Sequence, residues 1–516
     1  MFELLEERRM MSAAPIASLE LLNTDTNQPV AGYASLQSGV TLDLAKLPAH
    51  VSIQANPSGP VGSILFGYDG NAKYHNENYA PYSIAGDINA GAITNAWPLV
   101  LGAHTVVVTP YQNINDGGAA GATDTLKFTV IRTTGNTWYV NPTGANGASK
   151  TIAGAIALAQ PGDTVLIEPG TYYESIKLTR SGGGGKPITI AAATAGTVTV
   201  NSTGDAVSFD GTSVGYINLQ GIIFNGCSNP LETSAVRIGY DWNVTNVTVE
   251  NAQSQGMEVY GNNTTLEGVI AQYNGQEGLG GVNCSNVLVQ NCITRYNNPG
   301  LKNPSWAGST FAQQVNGLWY VRADYESGAG KWGDTSNVTL NGVQSYSNHG
   351  TGIWFDGTNT NVVIENCTVY NAIPITEFYE GVGISIEMNG VGPVTIENND
   401  VYNDPGGTIV IASSRHVKVT GNTFGGSYIA LNDWPRGAEV TMEDISFTHN
   451  TMNNSFIWTG GTNWFTTSGS GKNVVFDYEN YVGMTGPVFR WGTGVYQTIA
   501  NVESSLKLEL HGKQTA

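Results

Sequence analysis

The chain has 516 residues, of which 65 are glycine and only 12% are charged, the composition of a turn-rich all-β protein rather than a helical one. A hydrophobic content of 41% is enough to build a core and excludes a disordered chain. With 22 basic against 41 acidic side chains the net charge is −19, which argues against nucleic acid as a partner, because duplex binding needs a basic face that displaces counterions, but leaves room for a glycan.

The opening stretch "MFELLEERRMMSAA" has no apolar signal core, and no run reaches the roughly 18 to 20 apolar residues of a membrane span. Within it, Leu5-Glu6-Glu7-Arg8-Arg9-Met10-Met11-Ser12-Ala13 resembles the short L-E-x-R-x-L-L-S-A motif of exported planctomycete-type bacterial proteins. The resemblance implies a secreted or cell-surface bacterial protein and sets residues 1–13 apart as an export-associated segment. An amphipathic, partly disordered N-terminal segment is the other reading of these residues. Cys227, Cys284, Cys292 and Cys367 are too few for a disulfide framework.

Residues 14–134 read as short alternating strands ("ASLELLNT", "VSIQANP", "VGSILFGYDG", "HTVVVTPYQ", "TLKFTVI") separated by turns, the spacing of a small β-sandwich. The stretch from "GSILFGYDG" to "GAHTVVVTPY" resembles the immunoglobulin-like accessory domains of secreted bacterial enzymes, which implies an appendage or a glycan-binding module.

From residue 135 to 516 the pattern changes. One amphipathic helix is expected at about Lys150 to Gln160, with Ser149 as N-cap and Pro161-Gly162 as stop. Beyond it runs a loose repeat whose phrases place Ile222, Ala252, Val269, Cys292, Val343, Cys367, Asn399, Asn422 and Asn450 in one column. Short strands at irregular steps with Gly- and Asn-rich corners predict a right-handed parallel β-helix, each rung burying its apolar face against its neighbours. The helix would cap its N-terminal rung, and the three asparagines would form a hydrogen-bonded ladder at about 4.8 Å per rung.

Two phrases of that repeat carry carboxylates at matching points: "GIWFDG" with Asp356 and "GISIEMNG" with Glu387. Alternation turns Ile353, Phe355, Ile384 and Ile386 inward and Trp354, Asp356, Ser385 and Glu387 outward, so Asp356 and Glu387 should stack on the outer face. Like charges so close need a shared proton, a cation or a donor between them. A long insertion before Asp356 brings Trp306, Trp319, Tyr320, Arg322, Glu326, Lys331, Trp332 and Asp334, with His349 following; a second, "AIPITEFYE", should widen the Glu387 rung as the opposite wall of a cleft. Counting back from Asn337 aligns Lys331 with inward Phe355 unless the glycines bulge the strand. Trp354 is the expected platform for a sugar ring, with Trp332, Arg322, Trp319 and Tyr320 as further substrate contacts. Trp434, Trp458, Trp464 and Trp491 lie further along the stack.

The phrases "ESGAGKWGD", "HGTGIWFDG" and "GISIEMNG" resemble the E-x-G-x-G-K, H-G-x-G-[IL]-W-x-D and G-I-x-x-E succession of right-handed β-helix repeat proteins in the pectate-lyase-like superfamily. That resemblance implies action on polysaccharides or oligosaccharides, by a monomer, but the superfamily holds hydrolases, lyases, epimerases and adhesins. The leading expectation is a glycoside hydrolase using Asp356 and Glu387, with Glu326 or Asp334 for the wider carboxyl spacing. It needs no cofactor. The alternative is a lyase or epimerase of uronate glycans, with Lys331 or His349 as base and Arg322 as neutraliser, or Ca²⁺ held by Asp334, Asp356 and Glu387. A non-catalytic glycan-binding surface protein is the third reading.

Overall fold

The computed structural model describes residues 12–88, 93–133, 135–204, 207–377, 380–432, 441–459 and 471–515. Leu5 to Met11 of the export-like motif, Phe378 and Tyr379 of the second insertion, Trp434 and Trp464 lie outside them. The chain divides into two compact units, Met1–Asn136 and Thr137–Ala516.

In the first unit a four-stranded antiparallel sheet, including Ile16–Asn23 and Val51–Pro57, and a second sheet built around Gly102–Asn113 contribute to a single apolar cluster. Leu19, Leu21 and Ile53 from the one meet Phe66, Val106 and Phe128 from the other. Period-two alternation produces this: in Asp124–Ile131 every second side chain is buried.

The second unit is a right-handed parallel coil. Three sheets of thirteen strands each, among the described residues, run along it, and its connections take the hand that parallel crossovers adopt. The first sheet begins with Thr137–Val140, the second with Gly170–Tyr173 and the third with Ile176–Lys177. One continuous core, from Val140 and Ile152 to Phe489 and Val502, fills the coil. Asparagines at many corners adopt positive φ, among them Asn291, Asn366 and Asn398, the left-handed conformation that Asn tolerates best after Gly.

The expected ladder forms. Asn399 Nδ2 donates to Asn422 Oδ1, Asn422 Nδ2 to Asn450 Oδ1 and Asn450 Nδ2 to Glu479 Oε1, each at 2.9 Å. The expected column is corrected at one place: Ile223 pairs with Thr248, so Val247, not Ala252, follows Ile222. The phrase "VTVENA" belongs to the second sheet, as Thr248–Ala252, and the adjacent first-sheet strand Tyr240–Thr245 has a similar pattern. The helix spans Ile152–Leu158, and Thr151, rather than Ser149, caps it by accepting from Gly154 N at 3.1 Å.

Candidate active site

Strands Lys331–Gly333, Ile353–Asp356 and Ile384–Glu387 lie on consecutive rungs of the third sheet, and Asp356 pairs with Glu387 in register. Ile353, Phe355, Ile384 and Ile386 face the core. Lys331 pairs with Trp354 and Trp332 with Phe355, which reverses the orientation counted from Asn337. The corner from Gly333 to Ser336 is one residue shorter than the corner from Asp356 to Thr360, although Ser336 and Thr360 are partners. Lys331 therefore points outward. Trp332 is 2% exposed and packs against Phe355 at 6.2 Å between ring centroids; inside the coil it has no access to a sugar.

The outward side chains hold one another. Lys331 Nζ lies 2.6 Å from Glu326 Oε1 and 2.9 Å from Asp356 Oδ2. It also sits over the Trp354 ring, 5.0 Å from the centroid. The Trp354 indole donates to Glu387 Oε2 at 3.1 Å. An ammonium beside one carboxylate and an N–H on the other supply the compensation that a stacked pair requires. Trp354 is only 6% exposed, so its indole positions Glu387 and Lys331 more than it offers an open stacking face.

Burial works against the Lys331 ammonium, but the Asp356 and Glu326 carboxylates outweigh it and hold its pKa above the ordinary lysine value. Glu326, although half-buried, is held below the usual glutamate range by hydrogen bonds from Glu232 and Lys331. Glu232 keeps an exposed face, and partial desolvation where it meets Glu326, with the hydrogen bond the two share, pushes it up. Burial, together with Glu326, Glu258 and Glu232, pushes Glu277 well up.

Two cavities flank this strip. One, about 400 Å³, is lined by Glu232, Glu258, Glu277, Glu326, Lys331 and Asp356, with Asp334 at its edge. The other, about 610 Å³, has Trp354, Ser385 and Glu387 on its floor, and Arg322 and Asp324 of the first insertion among its walls with Thr376, Glu377 and Glu380 of the second. Arg322 pairs with Asp324 at 2.5 Å. Trp319 and Tyr320 belong to the hairpin of Ala312–Val315 and Leu318–Val321 and line neither cavity. His349 packs against Tyr320, 5.3 Å between ring centroids, and burial lowers its pKa, keeping the imidazole neutral; it too is absent from both linings. Glu232, Glu258 and Glu277 escaped the sequence reading because they arrive from earlier rungs. The available signal was the register Glu258, Gly280, Lys331 on one outer column.

Among the described residues no three His, Cys, Asp or Glu side chains converge closely enough to hold a metal ion. Asp334 instead accepts from Thr358 N at 2.8 Å in a corner turn.

The unit with this site is a right-handed parallel β-helix. A family model described as the right-handed β-helix region matches residues 220–424, and one for Chondroitinase B matches residues 147–258. No curated protein matches. Among solved structures, a GH87 α-1,3-glucanase from Streptomyces thermodiastaticus is similar over 98% of this chain and 97% of its own, at 12% identity and TM-score 0.51. An alginate lyase from Paenibacillus is similar over 63% of this chain and 98% of its own (16% identity, TM-score 0.40), and the pectate lyase Pel9A over 72% and 85% (18% identity, TM-score 0.37). At these identities the glucanase likeness is one of fold.

Proposed function

We propose that the coil is a polysaccharide-active enzyme that cleaves a uronate-containing glycan by β-elimination at Lys331, Asp356 and Glu387. The observation that carries this reading is the outward Lys331 ammonium between two carboxylates, the cation that this mechanism assigns to the uronate carboxylate. Neutralisation acidifies the C5 proton. A carboxylate of the site, Asp356 first, takes that proton as the C4–C5 double bond forms and the C4–O bond breaks. The leaving oxygen receives a proton from Glu232, the acid of the cavity whose pKa is raised beside Glu326. Lys331, held protonated, serves here as the cation, and His349 leaves the list of bases because it lines neither cavity. The Chondroitinase B match includes Glu232 and Glu258, which supports a lyase over the hydrolase that the sequence favoured.

One observation favours hydrolysis as the second reading. Glu232 pushed up beside Glu326 held down is the direction of the acid and carboxylate partition that glycosidases use. The first unit, two sheets on one core, would be an immunoglobulin-like β-sandwich serving as accessory module, and the enzyme a secreted or cell-surface monomer.

The test is digestion of chondroitin, alginate, pectate and a neutral glucan by the full chain, with and without added calcium and with chelator. Reducing ends and the ultraviolet absorbance of an unsaturated uronate are read together, beside Lys331→Met and Asp356→Asn. Absorbance lost in both variants supports elimination. Reducing ends without absorbance mean hydrolysis, and retention on a glycan without either means a binding surface.

A further inference from the structure

The asparagine ladder ends on an acid. Glu479 and Glu509 are both 0% exposed at the C-terminal end of the coil, and Tyr481 between them is equally buried. Glu479 Oε1 accepts from Asn450 Nδ2 at 2.9 Å, and Glu509 Oε1 accepts from the Tyr481 hydroxyl at 2.8 Å. The other oxygen of each carboxyl, Oε2, has no donor among the described residues. Two buried acceptors beside each other, each lacking a donor, are satisfied together by one proton placed between them.

The segment that carries Glu509 is also held at the surface by the His511–Asp477 pair and the His511–Tyr478 stack, and by Leu508 against the core. It follows the helix Ile499–Leu506 and adds the strand Lys513–Thr515 to the second sheet. Its backbone is tied by Glu509 N to Phe476 O at 2.7 Å and Lys513 N to Glu479 O at 2.8 Å. Glu509 itself sits at φ 58, a left-handed conformation that a glutamate adopts only when its surroundings enforce it.

We propose that Glu479 and Glu509 share one proton and form a pH-sensitive latch that seats residues 507–515 on the last rung, released as the solution turns mildly alkaline. The facing groups are consistent with this. Tyr481 donates, Asn450 is neutral, and Asp477, paired with His511 at 2.9 Å, adds negative charge that disfavours a second ionisation. No cation among the described residues is paired with either carboxyl. Burial pushes both acids up, aided at Glu479 by the charge of Glu509 and at Glu509 by that of Asp477, in agreement with the geometry.

The experiment is hydrogen exchange on the full chain from pH 5 to 9, with rates corrected for the intrinsic pH dependence of exchange. Opening that sheds one proton lowers protection of residues 507–515 by up to about tenfold per pH unit below the native ionisation. Peptides covering Thr164–Ile167, far from any raised acid, should show no such slope. Glu509→Gln and Glu479→Gln should flatten the slope, because an amide supplies its own donor and does not titrate. An unchanged slope in both variants, or wild-type protection that falls equally along the whole coil, overturns the latch. The wild-type comparison alone decides if the variants do not fold.

Discussion

Replacing Lys331 by Met separates the charge from the methylene stem. Lys331 and its partners Asp356 and Glu326 have side chains only 19%, 17% and 25% exposed. Breaking a fully buried pair on one side costs roughly 3–5 kcal/mol, while a fully exposed pair contributes about 0–1 kcal/mol. With about a fifth of each side chain in water, a loss of about 1.5–3 kcal/mol follows. A coil extending over Thr137–Ala516 has an unfolding entropy near 0.8 kcal/mol/K at about 2.1 cal/mol/K per residue, so the melting temperature should fall by about 2–4 °C. Because the Lys331 pKa is raised on folding, its contribution is fully present below the ordinary lysine value and lost as the pH rises through the folded value. Wild type and variant should therefore converge in strongly alkaline solution. In catalysis, removing a preorganised charge costs about 10²–10³ in rate. Arg in its place keeps the charge but cannot act as base, so Lys331→Arg should retain activity within about tenfold of wild type. Calorimetry and initial rates of unsaturated uronate formation measure both arms. An unshifted melting temperature in Lys331→Met would refute the electrostatic argument. Equal inactivity of the Arg and Met variants would make Lys331 the base.

Trp354→Phe keeps a ring under Lys331 but removes the indole N–H from Glu387, which is 3% exposed. It should lower kcat more than KM and destabilise the coil by about 1–2 kcal/mol, measured by kinetics and denaturant titration. Asn422→Ala removes the Nδ2 bonds to Asn450 Oδ1 and Ile396 O and the Oδ1 that accepts from Asn399 and should cost about 2–4 kcal/mol in the same titration. Burial pushes the thiols of Cys284, Cys292 and Cys367 up to about 12, and Cys227 is raised by the same cause. None of the four should react with a thiol reagent in the native protein at neutral pH, and all four should react on unfolding.

The coil was legible because its information is local. Alternation along "GIWFDG" and "GISIEMNG" turns Phe355 and Ile386 inward and Asp356 and Glu387 outward, and parallel stacking then brings equivalent positions into register. The asparagine column needed only the recurrence of Asn399, Asn422 and Asn450. Corner length was not legible: one residue fewer between Gly333 and Ser336 turned Lys331 out and Trp332 in. Nor were the contributions of distant rungs, since Glu232 meets Glu326 only after several turns of coil have been wound. The sequence by itself determined the β-helix and the outward carboxylate pair, because both follow from a period of two and a repeated phrase. Only the tertiary structure decided what compensates that pair, which acids hold protons and how the last rung is closed, because those depend on burial and on which charges become neighbours.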